Sequence, residues 1–333
     1  MTNTGIDPIP SADVSARRPA FLTGERLRLV LPFASLVVLY VITVLVSPGY
    51  LEGAQIGSLL QLATILGIVA IGQTLVILIG GIDLSVGAVV TLSNLLTAAI
   101  LDGDDANLPL ALLVSLAVGA LVGLVNGGII TLIKIPDLVA TLATMTVVVG
   151  VGYLITNGSP RGSSSGALNW FVTGRFAGFL TSGFLLWAVL AAVTIFVLRK
   201  TVFGRRVYAV GLNREASHFA AVPVTRTIVT LYVVSGVAAG LAGFLLTGYT
   251  GSSYLGSGTS YQLSTIAAVV LGGTSIFGGK GGYTGTIAGV LITVLLLSIL
   301  RVVGIPQAGQ NIAYGLVILL MLILFSARTI RRR

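Results

Sequence analysis

The sequence predicts an all-α membrane protein of about ten transmembrane helices, some of them broken or re-entrant, with both termini in the cytoplasm. Three observations predict it. The 333 residues are 55% hydrophobic and only 9% charged, with a mean hydropathy of +1.04, whereas soluble domains carry about 25% charged residues. The charges are spaced so that uncharged runs cover 29–51, 53–82, 84–101, 106–133, 138–160, 176–198, 227–279, 281–300 and 302–327. The basic residues, placed on such a path, fall almost entirely on one side.

A spanning helix takes roughly 20 apolar residues, because the hydrocarbon core is about 30 Å thick and each residue rises about 1.5 Å. Most of the runs meet this length. The run 84–101 is short and reads as an incomplete or re-entrant span, and 227–279 holds two spans or one and a half. No segments of alternating hydrophobicity appear, as a membrane β-barrel would need. Ahead of the first run, "MTNTGIDPIPSADVSARRPAFLTGERLRL" is polar and rich in Pro and Ser, which predicts a disordered tail over 1–28. The run that follows is too long for a signal-peptide core and reads as an uncleaved first span. The polytopic membrane body then extends over 29–327, interrupted by a long basic loop at 199–226, and 328–333 forms a basic tail.

With the N-terminus inside, the inner side receives sixteen of the nineteen basic residues and the outer side only Arg161, Arg175 and Arg301. The positive-inside rule accounts for this distribution, so the net charge of +9 needs no nucleic acid to explain it. There is no Cys, hence no disulfide or thiolate chemistry.

Glycine is the second signal. "AAVVLGGTSIFGGKGGYTG" (Ala267–Gly285) invites comparison with the phosphate-binding pattern G-x-x-x-x-G-K-[ST]. Counting from Lys280, Thr274 stands at the first required Gly and Gly281 at the required Ser/Thr, so the pattern fails at two fixed positions. Glycines also recur four residues apart at Gly119, Gly123 and Gly127, at Gly236 and Gly240, and at Gly281, Gly285 and Gly289. That spacing suits close helix packing in lipid. "VILIGGIDLSVGAVV" (Val76–Val90) and "AVVLGGTSIFGGKGG" (Ala268–Gly282) share an apolar run, Gly-Gly and small polar residues. "KIPDLVATLATM" and "GIPQAGQNIAYG" follow them with Ile-Pro. The pairing suggests two related halves.

Asp83, with Ser85 beside it, lies between two apolar runs, with Gly80, Gly81 and Gly87 nearby. A carboxylate at membrane depth must face a partner, a cavity or a boundary, and broken helix there must be buried or line water. Two roles stand open: part of a gate in a translocation path, or a cap on the helix that begins near Ser85. Gln73, Thr74, Asn94, Asn126, Thr141, Thr144, Gln310 and Asn311 are uncharged hydrogen-bonding groups inside apolar runs. They suit a neutral, hydroxyl-rich solute, or tie helices together. In the basic loop, "LNREASHFAAV" reads as a short helix capped by Asn213, with Glu215 in its first turn and Pro223 and Val224 ending it. His218 reads as solvated.

Several segments together resemble one family: "GQTLVILIGGIDLSVGAVVTLS" (72–93), "GLVNGGIITLIKIPDLVATLATM" (123–145), "TVFGRRVYAVGLNREAS" (201–217) and "QLSTIAAVVLGGTSIFGGKGGYTGTIAGVLI" (262–292). The chain is similar to the membrane permease of ribose-type bacterial ABC sugar importers, which serve ribose, xylose, arabinose, galactose and related solutes. The resemblance implies a multi-pass inner-membrane subunit that pairs with a copy of itself or a second permease. It implies cytoplasmic ATPase subunits carrying ATP and Mg²⁺, a periplasmic sugar-binding protein, surrounding lipid, and no cofactor or catalytic residue in this chain. A coupling helix in such permeases docks on the ATPase, and its usual "GGNEEAARLSGI" aligns with Gly211–Val222. Asn213, Glu215 and Ala216 match, while Leu212, Arg214, Ser217, His218, Ala220 and Ala221 depart.

On this resemblance Asn213, Arg214, Glu215, Ala216, Ser217 and His218 face the ATPase. Gln73, Asp83, Ser85, Asn94, Asn126, Thr141, Thr144 and Asn311 are candidates for the path or gate, by polarity and motif position. The expected cargo is a pentose or hexose; a nucleoside or an autoinducer-type sugar in the same importer class is the alternative. An ion-coupled secondary transporter would need a buried ionisable relay, and an enzyme would need a catalytic constellation; the runs carry neither.

Overall fold

The computed structural model describes residues 24–306 except 177, together with 308–313, 315, 316 and 319. Residues 1–23 of the expected tail 1–28, the basic tail 328–333 and the end of the run 302–327 from 320 onward lie outside the described residues. Residues 24–28 of that tail, expected to be disordered, instead begin a helix. The chain is helical nearly throughout: α1 (Gly24–Val46), α2 (Gly53–Leu78), α3 (Val86–Leu101), α4 (Leu108–Gly128), α5 (Asp137–Thr156), α6 (Gly166–Thr173), α7 (Ser182–Lys200), α8 (Val202–Leu212), α9 (Arg214–Phe219), α10 (Val224–Thr250), α11 (Thr259–Leu271) and α12 (Tyr283–Val302). A two-residue hairpin, Arg175–Phe176 with Leu180–Thr181, precedes α7.

Six of these helices are long and apolar enough to cross a membrane: α2, α4 with its flanking turns, α5, α7, α10 and α12. The apolar part of α1, together with α3 and α11, is shorter. The expected ten spans therefore resolve, among the described residues, into six full-length helices and three short apolar ones. The short run 84–101 is α3, whose 16 residues rise only about 24 Å. The long run 227–279 divides into α10, of 27 residues, and α11, of 13; the second rises only about 20 Å.

Helix ends follow local chemistry. Asn157 ends α5 and Gly251 ends α10 in the left-handed conformation, which suits these residue types. Asp102 ends α3 the same way. α4 runs into a π turn at Ile129–Ile133 that Lys134 closes, again left-handed.

The interior is built on α2 and α10. In α2 the most apolar 18-residue window is 89% buried, against 22% for α4 and 28% for α5 and α7. α10 packs most extensively on α4, then on α3 and α2. The α4–α10 contact is made backbone to backbone. A Cβ on Gly119 or Gly236 would collide with the other's carbonyl oxygen, one on Gly123 with the carbonyl of Tyr232, and one on Gly240 with that of Ser115. The α11–α12 crossing repeats the device, with Gly285 against Gly272 and Gly289 against Ala268. The four-residue glycine spacing is thus a packing face, because helices in lipid gain contact by approaching closely.

Two glycine controls make this testable. Gly236→Ala should lower the unfolding stability of the purified protein by about 2 kcal/mol or more, since neither backbone can yield. Gly150→Ala in α5, where a methyl meets nothing within 4 Å, should leave stability unchanged or raise it by up to about 1 kcal/mol. Equal effects of the two in thermal unfolding would contradict the packing account.

Candidate functional site

The chain leaves regular helix inside the bundle at three places: 79–85, 251–258 and 272–282. In a membrane each freed backbone group must find a partner within the protein, and Asp83, Ser85, Asn94, Asn126 and Thr141 of the candidate residues gather around these breaks.

At the first break Gly80 takes φ +77 and the chain turns from α2 into α3. Asp83 is 1% exposed. Its Oδ1 accepts from the backbone N–H of Ser85 at 2.9 Å and from Ser85 Oγ at 2.6 Å, and its Oδ2 accepts from Ser235 Oγ of α10 at 2.9 Å. Asn126 of α4 donates to Ser85 Oγ at 2.9 Å, and Thr141 of α5 donates to the Ile82 carbonyl at 3.2 Å. Asp83 therefore closes the turn ahead of α3 rather than capping the helix itself, whose N-cap position is Ser85 with no side-chain cap bond. It also draws α10 to that turn, and through Ser85 the same knot holds α4. Its carboxylate is buried within the protein rather than set at a solvated boundary.

The second break descends beside α3. Asn94 donates to Thr247 Oγ1 at 2.8 Å and to the Ser252 carbonyl at 3.4 Å. Gly258 N–H donates to Thr91 Oγ1 at 2.9 Å. A Cβ on either Gly87 or Gly258 would meet the other's carbonyl. The segment from Ser252 to Gly258 thus follows α3 from its middle back to its first turn. Three buried atoms here have no hydrogen-bond partner: Asn94 Oδ1, Ser253 Oγ and Ser257 Oγ.

The third break is the glycine-rich stretch, and it meets the first. Gly279 N–H donates to the Leu78 carbonyl at 2.8 Å, a Cβ on Gly278 would lie 2.8 Å from Gly80 N, and one on Gly211 would collide with the Leu78 carbonyl. Gly278 and Gly279 take φ +82 and +68. Both Gly-Gly bends and the end of α8 therefore converge at one end of the bundle.

α9 sits at the same end. Asn213 caps it as expected, accepting from Ala216 N–H at 2.9 Å. Its termination differs from expectation: the helix stops at Phe219 and Ala221 turns left-handed at φ +58. Val222 N–H closes the turn on the Ser217 carbonyl. Pro223 instead opens α10, where its missing N–H costs nothing. Arg214 pairs with Asp137 of α5 at 3.0 Å and donates to the Ile79 carbonyl at 3.4 Å. Glu215, Ala216 and His218 are exposed, whereas Ser217 is buried against the chain's own helices. Phe219, outside the expected contact set, is 81% exposed, with Leu212 and Phe277 also exposed.

The remaining candidates divide. Gln73 is fully buried, and neither its Oε1 nor its Nε2 has a partner. Thr74 ties α2 to α12 through Thr286 at 3.0 Å. Thr144 bonds back to Ala140 in its own helix. Asn311 is exposed, while the neighbouring Gln310 is the buried residue. The sequence reading missed Ser235, Thr247, Ser253 and Ser257; the Gly-Ser-Ser-Tyr-Leu-Gly-Ser-Gly cluster at 251–258 was the available signal, as a break between apolar runs.

Comparisons with known proteins give the family. A family model described as "Branched-chain amino acid transport system / permease component" matches residues 55–327. The ribose import permease of Bacillus subtilis is 42% identical, covering 88% of this chain and 91% of its own. The ribose import permease of Escherichia coli K12 is 36% identical, covering 86% and 90%. The galactofuranose transporter permease of Escherichia coli K12 is 35% identical, covering 97% and 95%. No solved structure shows significant similarity. Matched over most of its length by these transport components, the chain belongs to the ribose-type ABC sugar permeases, a family of multi-pass inner-membrane importer subunits.

Proposed function

We propose that this permease carries a ribose-class monosaccharide through a cleft that opens between α3, α10 and the 251–258 segment. The observation that carries the reading is that segment itself: irregular backbone descending among buried helices, beside unpartnered Asn94 Oδ1, Ser253 Oγ and Ser257 Oγ. Broken segments of this kind mark solute sites in transporters. Neutral amides and hydroxyls are the groups that exchange hydrogen bonds with a sugar without binding an ion. The names of the ribose import permeases among its relatives support ribose over other sugars.

The path runs from this outer cluster towards the Asp83 knot. The end bearing α9, both Gly-Gly bends, Arg199, Arg214 and Lys280 is the cytoplasmic one, by the positive-inside rule, and both termini lie on that side of a ten-span chain. ATP and Mg²⁺ act on a separate ATPase. That ATPase docks on the exposed face of α9, on Glu215 and His218 with Phe219, Leu212 and Phe277 beside them. A sugar-binding protein delivers the solute from outside, and a second permease subunit completes the path. Arg214 passes movement of α9 to α5 through Asp137 and to the end of α2 through the Ile79 carbonyl; Thr141 and Ile82 hand it on to the Asp83 knot.

Two outcomes test this reading in proteoliposomes that hold the chain with its ATPase and binding protein. Asn94→Ala, and separately Ser253→Ala with Ser257→Ala, should lower ribose uptake by about tenfold, the worth of one neutral hydrogen bond or a little more, with assembly and ATP hydrolysis retained. Wild-type uptake rates in these variants would remove the cleft from the path. Asp137→Asn should reduce uptake by about fivefold, as expected for a partly exposed ion pair, while ATP hydrolysis continues. The reversed pair Arg214→Asp with Asp137→Arg should recover much of the loss; no recovery would argue against coupling through this pair.

A further inference from the structure

The glycine-rich stretch encloses a cavity that the transport reading leaves without a use. It has a volume of about 340 Å³ and lies between the end of α7, α8 and the loop that enters α12. Six of its lining residues are glycines, so much of its wall is bare backbone. A Cβ on Gly281 would lie 2.5 Å from Thr274 Cα, which keeps side chains off this part of the loop. Two cations, Arg199 and Lys280, line it, and no acidic residue does. Neither has a carboxylate within ion-pair distance among the described residues. Arg199 is held in place by donating to Thr284 Oγ1 at 3.1 Å, and Tyr208 donates to the Gly281 carbonyl at 2.9 Å. Burial holds the Tyr208 phenol above its usual range although Arg199 pulls it down, so this group stays a neutral donor.

The other wall is apolar. Ile195 and Leu198 line the cavity from α7, a helix that otherwise turns Val189, Val193 and Phe196 outward, each more than half exposed. A site that joins paired cations to an apolar, outward-facing helix end fits a molecule with an anionic head and a hydrocarbon tail. Inorganic phosphate would use only half of it. Basic pockets between membrane helices bind anionic lipid headgroups for this reason.

We propose that the cavity is a binding site for the phosphodiester headgroup of an anionic phospholipid, with Arg199 and Lys280 on the phosphate and an acyl chain laid along α7. The site lies away from the sugar cleft, so its failure and that of the transport reading are separable.

The test is native mass spectrometry of the full chain, purified in mild detergent and supplied with phosphatidylglycerol or with phosphatidylcholine. Phosphatidylglycerol should be retained selectively. Each cation near a membrane surface contributes about fivefold in affinity, so Arg199→Ala with Lys280→Ala should weaken retention about 25-fold. Lys280→Ala alone, at an exposed position, should lose about fivefold, and Lys280→Arg should retain binding, which separates loss of charge from loss of fold. Equal retention of both lipids, or undiminished phosphatidylglycerol in the double variant, would overturn the proposal. So would displacement of the lipid by millimolar inorganic phosphate, which would assign the site to a solution anion.

Discussion

The structure depends on backbones that touch. In lipid no hydrophobic force presses helices together, so contact comes from surfaces that fit at close range. The α4–α10 crossing is made by Gly119, Gly123, Gly236 and Gly240 against opposing carbonyls. It holds in place the helix, α10, against which α2 and α3 also pack. Ser235 can reach Asp83 because a Cβ at Gly72 is likewise missing opposite Ser235. If α10 stood off by the width of a methyl group, the Asp83 knot would lose a donor. The polar architecture is downstream of the glycine packing.

The same closeness makes the helix breaks tolerable. Each break frees backbone groups, and at each a short polar side chain or an opposing backbone answers them. Asp83 takes the Ser85 N–H, Thr91 takes the Gly258 N–H, and the Leu78 carbonyl takes the Gly279 N–H. Around the 251–258 segment the buried side-chain atoms without a partner are Asn94 Oδ1, Ser253 Oγ and Ser257 Oγ, groups that a solute can satisfy without unmaking the fold.

Much of this was legible in sequence, for a physical reason. Charge is excluded from hydrocarbon, so gaps between charges delimit helices, and even the shortness of α3 followed from its run. The Asn213 cap was legible because it depends on neighbours three residues apart. The 251–258 segment was not, because glycine and serine carry no charge and the run 227–279 passes through it unmarked. Ala221 was hidden for the opposite reason: alanine rarely adopts positive φ, so the visible stop signal, Pro223, was assigned to the wrong helix. Asn311 and Gln310 differ by one residue, about 100° around a helix, and polarity alone cannot phase them.

The pairing of the two Gly-Gly motifs gains meaning from where they end up. Read as sequence, they suggested two related halves. In the structure, each ends a helix with a bend, Gly80 after α2 and Gly273 after α11, and the two loops meet each other and Gly211 of α8. At such a junction Gly211 meets the Leu78 carbonyl and Gly278 meets Gly80 backbone against backbone, and the Leu212 side chain beside Gly279 is the flexible group there. Closely packed matter of this kind transmits strain. Since α8 leads directly into α9, a partner that moves α9 displaces Gly211, and with it both bends at once. A junction lined with longer side chains could take up that movement by changing rotamers. The glycines let three chain segments share one place, and under the proposed coupling through α9 they would pass its movement on to the helices that flank the proposed sugar path.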